Sequence, residues 1–345
     1  MNCYLSRNYR DINGGGNKAK TDIEHIAHGM GFRNVGFKQT TCHNVVLSFF
    51  ITLAGVVKAP FCLHRKDILL LQYPLKKYYA FVCNMAHLRG AKVITVIHDL
   101  GSFRRQKLTI EQEIRRLNHS DYIIAHNEIM YRWLKEHGSK ALLGSLEIFD
   151  YLSTSDVSKA GTAHKPYTVL YAGGLSPRKN SFLYDWLNGI DTSGGVVYGV
   201  NIYGSGFEEN KIKKECPMKY MGFVKSDRLI ATARGHFGLV WDGLSTDSCT
   251  GNWGEYLRYN NPHKTSLYLR CGLPVIIWSQ AALAGFITRN NIGFCIDSLK
   301  QLDEKLKELT EEQYAEMCVN VGRISRRLSD GYYFKKAVTK ALDVL

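Results

Sequence analysis

No apolar run in this 345-residue sequence is long enough to cross a bilayer: VVLSFFITLAGVV at 45–57 falls short of the ~20 residues required and ends at Lys58. A secretory signal is not read either, because polar NYRDINGGG follows the first few residues, where an apolar segment would be needed. The nine cysteines are odd in number and scattered, with neither CxxC nor zinc-finger spacing. That pattern argues against a disulfide framework and a zinc site, and for reduced thiols in a cytoplasmic chain. There is no GxGxxG with a downstream acid, which disfavours a nicotinamide oxidoreductase, and no Walker loop. No metal site and no cofactor are expected. Solenoid repeats and low-complexity tracts are missing too.

Negative charge is the scarcer sign, with 31 acidic against 45 basic residues for a net charge of +14. The excess is uneven: residues 1–165 hold 23 basic and 13 acidic residues, a surplus of 10, which leaves 4 for the rest. A basic field of this kind suits nucleic acid, anionic lipid headgroups or phosphorylated substrates. Nucleic acid is disfavoured, since the cations are dispersed and no recognition module accompanies them.

The length asks for two domains. Short apolar runs alternate with helical patterns throughout: CYLSR, NVGF, DILLLQYP, KVITVIHD and YIIAHN, then YTVLYAG, VNIYGSG, KYMGF, FGLVWDG, PVIIWS and IGFCID. Continuous rather than alternating apolar character marks parallel strands covered on both faces. The fold class expected is α/β, two doubly wound Rossmann-like βα domains facing a central cleft. The expected boundaries are 1–152, a polar linker at 153–166, 167–328, and a C-terminal helix at 329–345 that can pack back on the first domain.

Ligands of such sheets bind at the carboxyl ends of strands, so the loops there hold the candidates. NGGGNK at 13–18 offers Gly14, Gly15 and Gly16 for close backbone approach to a ligand, or is a plain flexible turn. His98 and Asp99 end the strand KVITVIHD, either as base and orienting group or as a buried histidine and a cap, with Arg104 a turn later. His126 and Asn127 hold the equivalent place one strand on. YAGGLSPRKN sets Gly173 and Gly174 beside Arg178 and Lys179, a forked and a point cation able to clamp a diphosphate. Gly204 and Gly206 in IYGSG, and Gly222 and Phe223 in MGFV, add close-approach backbone.

The loop 242–262 is long for such a domain, which points to function. It runs into NNPHKTSLYLRCGLPVIIW, where Asn260 or Asn261 can cap a helix, Pro262 suits its first turn, and His263, Lys264 and Thr265 follow. A cation at the positive end of a helix opposes the macrodipole, so Lys264 suggests a bound anion.

These motifs, with IHDLGSFR and GLVWDG, resemble GT-B glycosyltransferases, and more narrowly the bacterial β-1,6-galactofuranosyltransferases together with the glucosyltransferases of adhesin glycosylation. The resemblance implies a soluble, metal-independent enzyme that passes a hexose (galactofuranose, glucose or galactose) from a UDP-sugar to a saccharide acceptor, with the nucleotide in the second domain. Arg178, Tyr203, Lys264 and the amides near Asn261 would contact UDP, and the Gly14–Gly16 loop the donor sugar. Many relatives have an acidic residue near the sugar where this chain has Asn261 to Lys264, which leaves Asp242 and Glu255 as substitutes. A lipid-linked acceptor and contact with the inner face of the membrane would fit the basic first half and the apolar 45–57 segment, which core packing explains equally well. A homo-oligomer is compatible with the sequence. The competing reading is a non-catalytic sugar- or nucleotide-binding partner, a degenerate transferase.

Overall fold

The computed structural model describes residues 1–9, 15–155, 164–195, 197–213 and 215–345. Most of the expected linker and Gly14 therefore lie outside the described residues. The chain forms two compact units, Met1–Tyr151 with Gly331–Leu345, and Leu152–Asp330.

Unit 1 is built on six strands: β1 (Asn2–Tyr4), β2 (Arg33–Asn34), β3 (Ile68–Tyr73), β4 (Lys92–Ile97), β5 (Tyr122–Ala125) and β6 (Leu142–Ser145). They pair in parallel in the order β2-β1-β3-β4-β5-β6. The apolar runs ILLLQY, KVITVI and YIIA are buried almost throughout because helices cover such a sheet on both faces. Two helices start on signals written in the sequence: Thr109 and Gln112 form a reciprocal capping box before Ile110–Leu117, and Asn127 caps Glu128–Glu136. Sequence reasoning passed over β6, whose four residues LLGS are too few to carry a period. The last helix, Tyr332–Leu342, belongs to this unit: the Asp150 carboxylate accepts the Tyr333 and Phe334 amides at 3.1 and 2.6 Å, holding the helix N-terminus.

Unit 2 repeats the plan with β7 (Tyr167–Gly174), β8 (Tyr198–Ser205), β9 (Met218–Tyr220), β10 (Phe237–Val240), β11 (Val275–Trp278) and β12 (Gly293–Ile296). All pairs are parallel, in the order β12-β11-β10-β7-β8-β9. The helix Glu311–Ser329 opens on the capping box of Thr310 and Gln313. In this sheet the chain runs outward from β7 on one side and returns to continue on the other from β10. The β7/β10 border is thus a topological switch point, and in unit 1 the β1/β3 border is the same feature. At such a border the loops diverge at the carboxyl ends and leave a crevice.

Candidate functional site

The site in unit 2 is set by the helix His263–Arg270. Its Tyr268 is fully buried, accepts the Ala172 amide of β7 at 2.8 Å, and lies so close to β10 that a Cβ on Gly238 would fall 2.2 Å from its ring. Lys264 is one turn earlier on the same face of the helix. Its ammonium donates to Asp242 Oδ1 at 2.9 Å, to the Trp241 carbonyl at 3.2 Å and to the Tyr171 hydroxyl at 3.4 Å, and stands 4.7 Å from the Tyr171 ring centroid. Tyr171 is on β7 while Trp241 and Asp242 follow β10, so the ammonium straddles the switch point. Burial, then the Asp242 carboxylate, holds the Tyr171 hydroxyl well above its usual range, and it stays protonated.

Two expectations are corrected here. The helix begins at His263 with Pro262 as its N-cap residue, and no side chain caps it, so Pro262 stands outside the first turn and neither asparagine is the N-cap. Asp242 supplies the counter-charge for Lys264, so the position of a lysine at a helix start does not by itself require a bound anion. What does ask for a ligand is the absence of partners nearby. Asn260 Oδ1 and the hydroxyl of the fully buried Thr265 are buried without a hydrogen-bond partner, where such groups are nearly always satisfied. Asn261 is buried as well, and His263 is the first residue of the helix.

The loop after β7 is tied to the loop after β10 by Asn180, a residue sequence reasoning missed. Fully buried, it donates to the Gly174 carbonyl at 2.7 Å and receives the Gly243 amide at 3.5 Å. Gly173 and Gly174 are exposed, and no atom would meet a Cβ on Gly174 within 4 Å. Arg178 is exposed on the four-residue helix Pro177–Asn180, and the Lys179 ammonium lies 4.4 Å over the Trp253 ring.

Other candidates have structural reasons to be where they are. A Cβ on Gly204, whose φ is +146°, would sit 1.9 Å from the Gly173 carbonyl oxygen, so this glycine lets β8 approach β7. Tyr203 is 3 % exposed and its hydroxyl takes the Arg234 amide at 3.3 Å, so its side chain is part of the core. Gly206 and Gly222 occupy left-handed turns and Phe223 is 64 % exposed. Glu255 is exposed and paired with Arg258 at 2.8 Å. The loop 242–262 is less irregular than its composition implies, since it contains the helix Gly251–Glu255 and a 3-10 turn at Tyr256–Arg258.

In unit 1 a buried network occupies the corresponding border. Glu24, on the helix Gly15–Gly29, accepts hydrogen bonds from Ser6 at 2.6 Å and Tyr9 at 2.5 Å. Gln72, at the end of β3, donates to Glu24 at 3.4 Å and to the Lys20 carbonyl at 3.2 Å. Its amide oxygen therefore faces His98, 2.7 Å from Nε2. An acceptor there puts a proton on Nε2. Burial pushes Glu24 up to about 7. Asp99 pairs with Arg104 at 3.0 Å through Oδ2, while Oδ1 is buried and unpartnered; burial raises its pKa against the pull of Arg104 and Arg105. His126 is fully buried and pushed down to about 3, hence neutral, with its ring edge-on to Phe149. Gly15 and Gly16 are not loop residues: they open the helix Gly15–Gly29, whose packing outweighs the roughly 1 kcal/mol that each glycine costs against alanine. Glu24, Gln72 and Tyr171 were missed, yet Gln72 and Tyr171 carry a signal, a polar group near the carboxyl end of an otherwise apolar strand. Among the described residues no three His, Cys, Asp or Glu side chains converge as a metal set.

The sequence matches two domain families: "Glucosyltransferase 3-like, N-terminal domain" over residues 2–148 and "Glucosyltransferase 3-like, C-terminal domain" over residues 169–341. It is 36 % identical over 286 residues to the beta-1,6-galactofuranosyltransferase WbbI of Escherichia coli, covering 82 % of this chain and 81 % of that one. It is 26 % identical over 335 residues to glucosyltransferase 3 of Streptococcus gordonii, covering 94 % and 93 %. The lipopolysaccharide outer core galactosyltransferase WaaB in its apo form superposes with a TM-score of 0.63 at 14 % identity over 100 % of both chains. The paired six-stranded parallel sheets are thus the GT-B fold.

Proposed function

The chain belongs to the Glucosyltransferase 3-like family of glycosyltransferases, and from that premise we propose that it moves a hexose from a UDP-sugar to a saccharide acceptor of a cell-surface glycan. The observation that carries this reading is the Lys264 ammonium on the β7/β10 border, beside the start of the helix His263–Arg270. A diphosphate seated there meets a cation and the positive end of a helix together. Gly173 and Gly174 let it come close to the backbone, Arg178 reaches it from the exposed turn, and the unpartnered Asn260 and Thr265 oxygens take up polar groups of the nucleoside. Asp242, fixed by Lys264, is then the carboxylate for a sugar hydroxyl.

In the reaction the bond between the anomeric carbon and the diphosphate oxygen breaks, and its electron pair leaves with UDP. The acceptor oxygen bonds to that carbon, and its proton passes to a base, His98 or Asp99, if the centre inverts, or to the departing phosphate if it is retained. Lys264 and the helix amides meet the charge that develops on the leaving group, so the transfer proceeds without a metal ion. Calorimetry with UDP-, GDP- and TDP-sugars tests the reading: heat with UDP compounds alone is expected, and none with any of them ends it.

The acceptor is lipid-linked in this reading, and the enzyme works at the cytoplasmic face of a membrane. Among the described residues no helix is long and apolar enough to cross one. The helix Val45–Phe61 nonetheless leaves much of its apolar surface in water, with Val46 64 %, Phe50 57 % and Phe61 73 % exposed. Lys77 lies 5.5 Å over the Phe49 ring and Lys58 4.9 Å over Phe37, so cations flank the patch as they do on interfacial helices. Co-sedimentation with vesicles should rise with their phosphatidylglycerol content, and a flat response refutes the membrane contact.

A further inference from the structure

The carboxyl ends of β1, β3 and β4 gather cations that the transfer chemistry above does not use. Arg7 follows β1 and donates to the carbonyl of Pro74, the residue after β3, at 3.1 Å. Lys20 is fixed at the same place, since its carbonyl receives Gln72 of β3 at 3.2 Å. Arg104 is held by Asp99, two residues beyond β4, and β4 pairs with β3 so that Ile97 lies opposite Tyr73. Neighbouring strands are ~5 Å apart, so these three anchors converge on one end of the sheet.

Among the described residues the cations there outnumber the carboxylates. Asp99 faces Arg104, Arg105 and Lys20, and the nearby Glu113 is already engaged by the Tyr73 hydroxyl and the Gly101 and Ser102 amides. Burial is the first cause that lowers Lys20 to about 8, and the next is repulsion from Arg7. A half-buried ammonium beside three guanidinium groups is costly unless an anion completes the set. The Glu24 carboxylate, itself part-protonated near neutral pH, is engaged by Ser6, Tyr9 and Gln72.

We propose that this end of the unit 1 sheet is a second anion site, in which Lys20, Arg7 and Arg104 hold a phosphoryl group of the acceptor. The proposal rests on the reading of the chain as a transferase whose first unit takes the acceptor, and it narrows the acceptor class to phosphate- or diphosphate-bearing saccharides. Three charge-assisted donors, two of them forked, suit phosphoryl oxygens better than neutral sugar hydroxyls.

The test uses the full chain saturated with UDP, so that a site in unit 2 is already filled. One arm titrates inorganic pyrophosphate by calorimetry, and the other measures binding to vesicles containing phosphatidic acid. Wild type should bind in at least one arm, the first marking a free phosphoryl group and the second one at a bilayer. Lys20→Met and Arg7→Gln should each weaken that binding by about tenfold or more, the weight of one charged hydrogen bond. Lys20→Arg keeps the charge without opening a cavity and should retain what Lys20→Met loses. Binding in neither arm, or binding unchanged in Lys20→Met and Arg7→Gln, overturns the proposal. Failure of UDP itself to bind counts instead against the donor reading, because the pyrophosphate titration is then read without UDP.

Discussion

The two units share a topology and differ in how they fill its crevice. At the β7/β10 border one ammonium is matched by one carboxylate, amid glycines, a helix start and loops clasped by Asn180, with Arg178 on the exposed turn beside them. At the β1/β3 border Arg7, Lys20, Arg104 and Arg105 outnumber, among the described residues, the carboxylates of Asp99 and Glu113, above a buried acid that burial keeps half-neutral. A Rossmann-like sheet fixes where a ligand sits, while the side chains at the strand ends decide its charge. Unit 2 is preorganised by packing, whereas the site proposed in unit 1 is completed by an anion.

The largest expected effect breaks the packing half of that contrast. Gly238→Ala forces a methyl to within 2.2 Å of the Tyr268 ring carbon, in a place where both elements are buried. Overpacking of this kind should cost about 3 kcal/mol or more, read as a fall in the denaturant midpoint, and the displaced helix should carry Lys264 away from the switch point. Next comes Lys264→Ala, which should cut the transfer rate on the order of 100-fold at saturating donor, as loss of one group aimed at developing charge does. A near-normal rate would make the Lys264 and Asp242 pair a structural tie only. Asn180→Ala follows: it leaves the Gly243 amide and the Gly174 carbonyl without their partner, for about 1–3 kcal/mol of stability and a raised donor KM. An unchanged KM would separate the clasp from the donor site.

How much of this was legible beforehand follows from what a linear pattern can encode. Apolar runs reveal parallel strands because both faces are buried, and the capping box of Thr310 and Gln313 is written four residues long. The loops at the strand ends were therefore in view. Pairing order is not written locally, so the switch points, and with them the meeting of Lys264 with Tyr171 and Asp242 from 93 and 22 residues away, could not be read. The setting of Tyr203 was hidden for the same reason: its place at a strand end is visible, but the Arg234 amide that satisfies its hydroxyl is not. Lys20 and Glu24 did carry a cue, being four apart on one helix face, but charged residues on a helix ordinarily face water.

The smallest expected effect concerns the unit 1 network. Glu24 is 4 % exposed and titrates at about 7 in the folded chain, above its unfolded value, with burial as the first cause. A carboxyl raised in this way binds its proton more tightly in the native state. Its contribution to stability is complete below the unfolded pKa and is lost as pH rises through about 7. Between roughly pH 6 and pH 8 the wild type should lose about 1 kcal/mol from this group. Glu24→Gln keeps the shape and cannot ionise, so its stability should be flatter over that window by the same amount. Asp150, also raised to about 7 by burial, contributes a slope of the same sign, but it is present in both proteins and drops out of the difference. Parallel curves of denaturant midpoint against pH would mean that Glu24 keeps one protonation state throughout. The electrostatic contrast between the two borders would then rest on the cations alone.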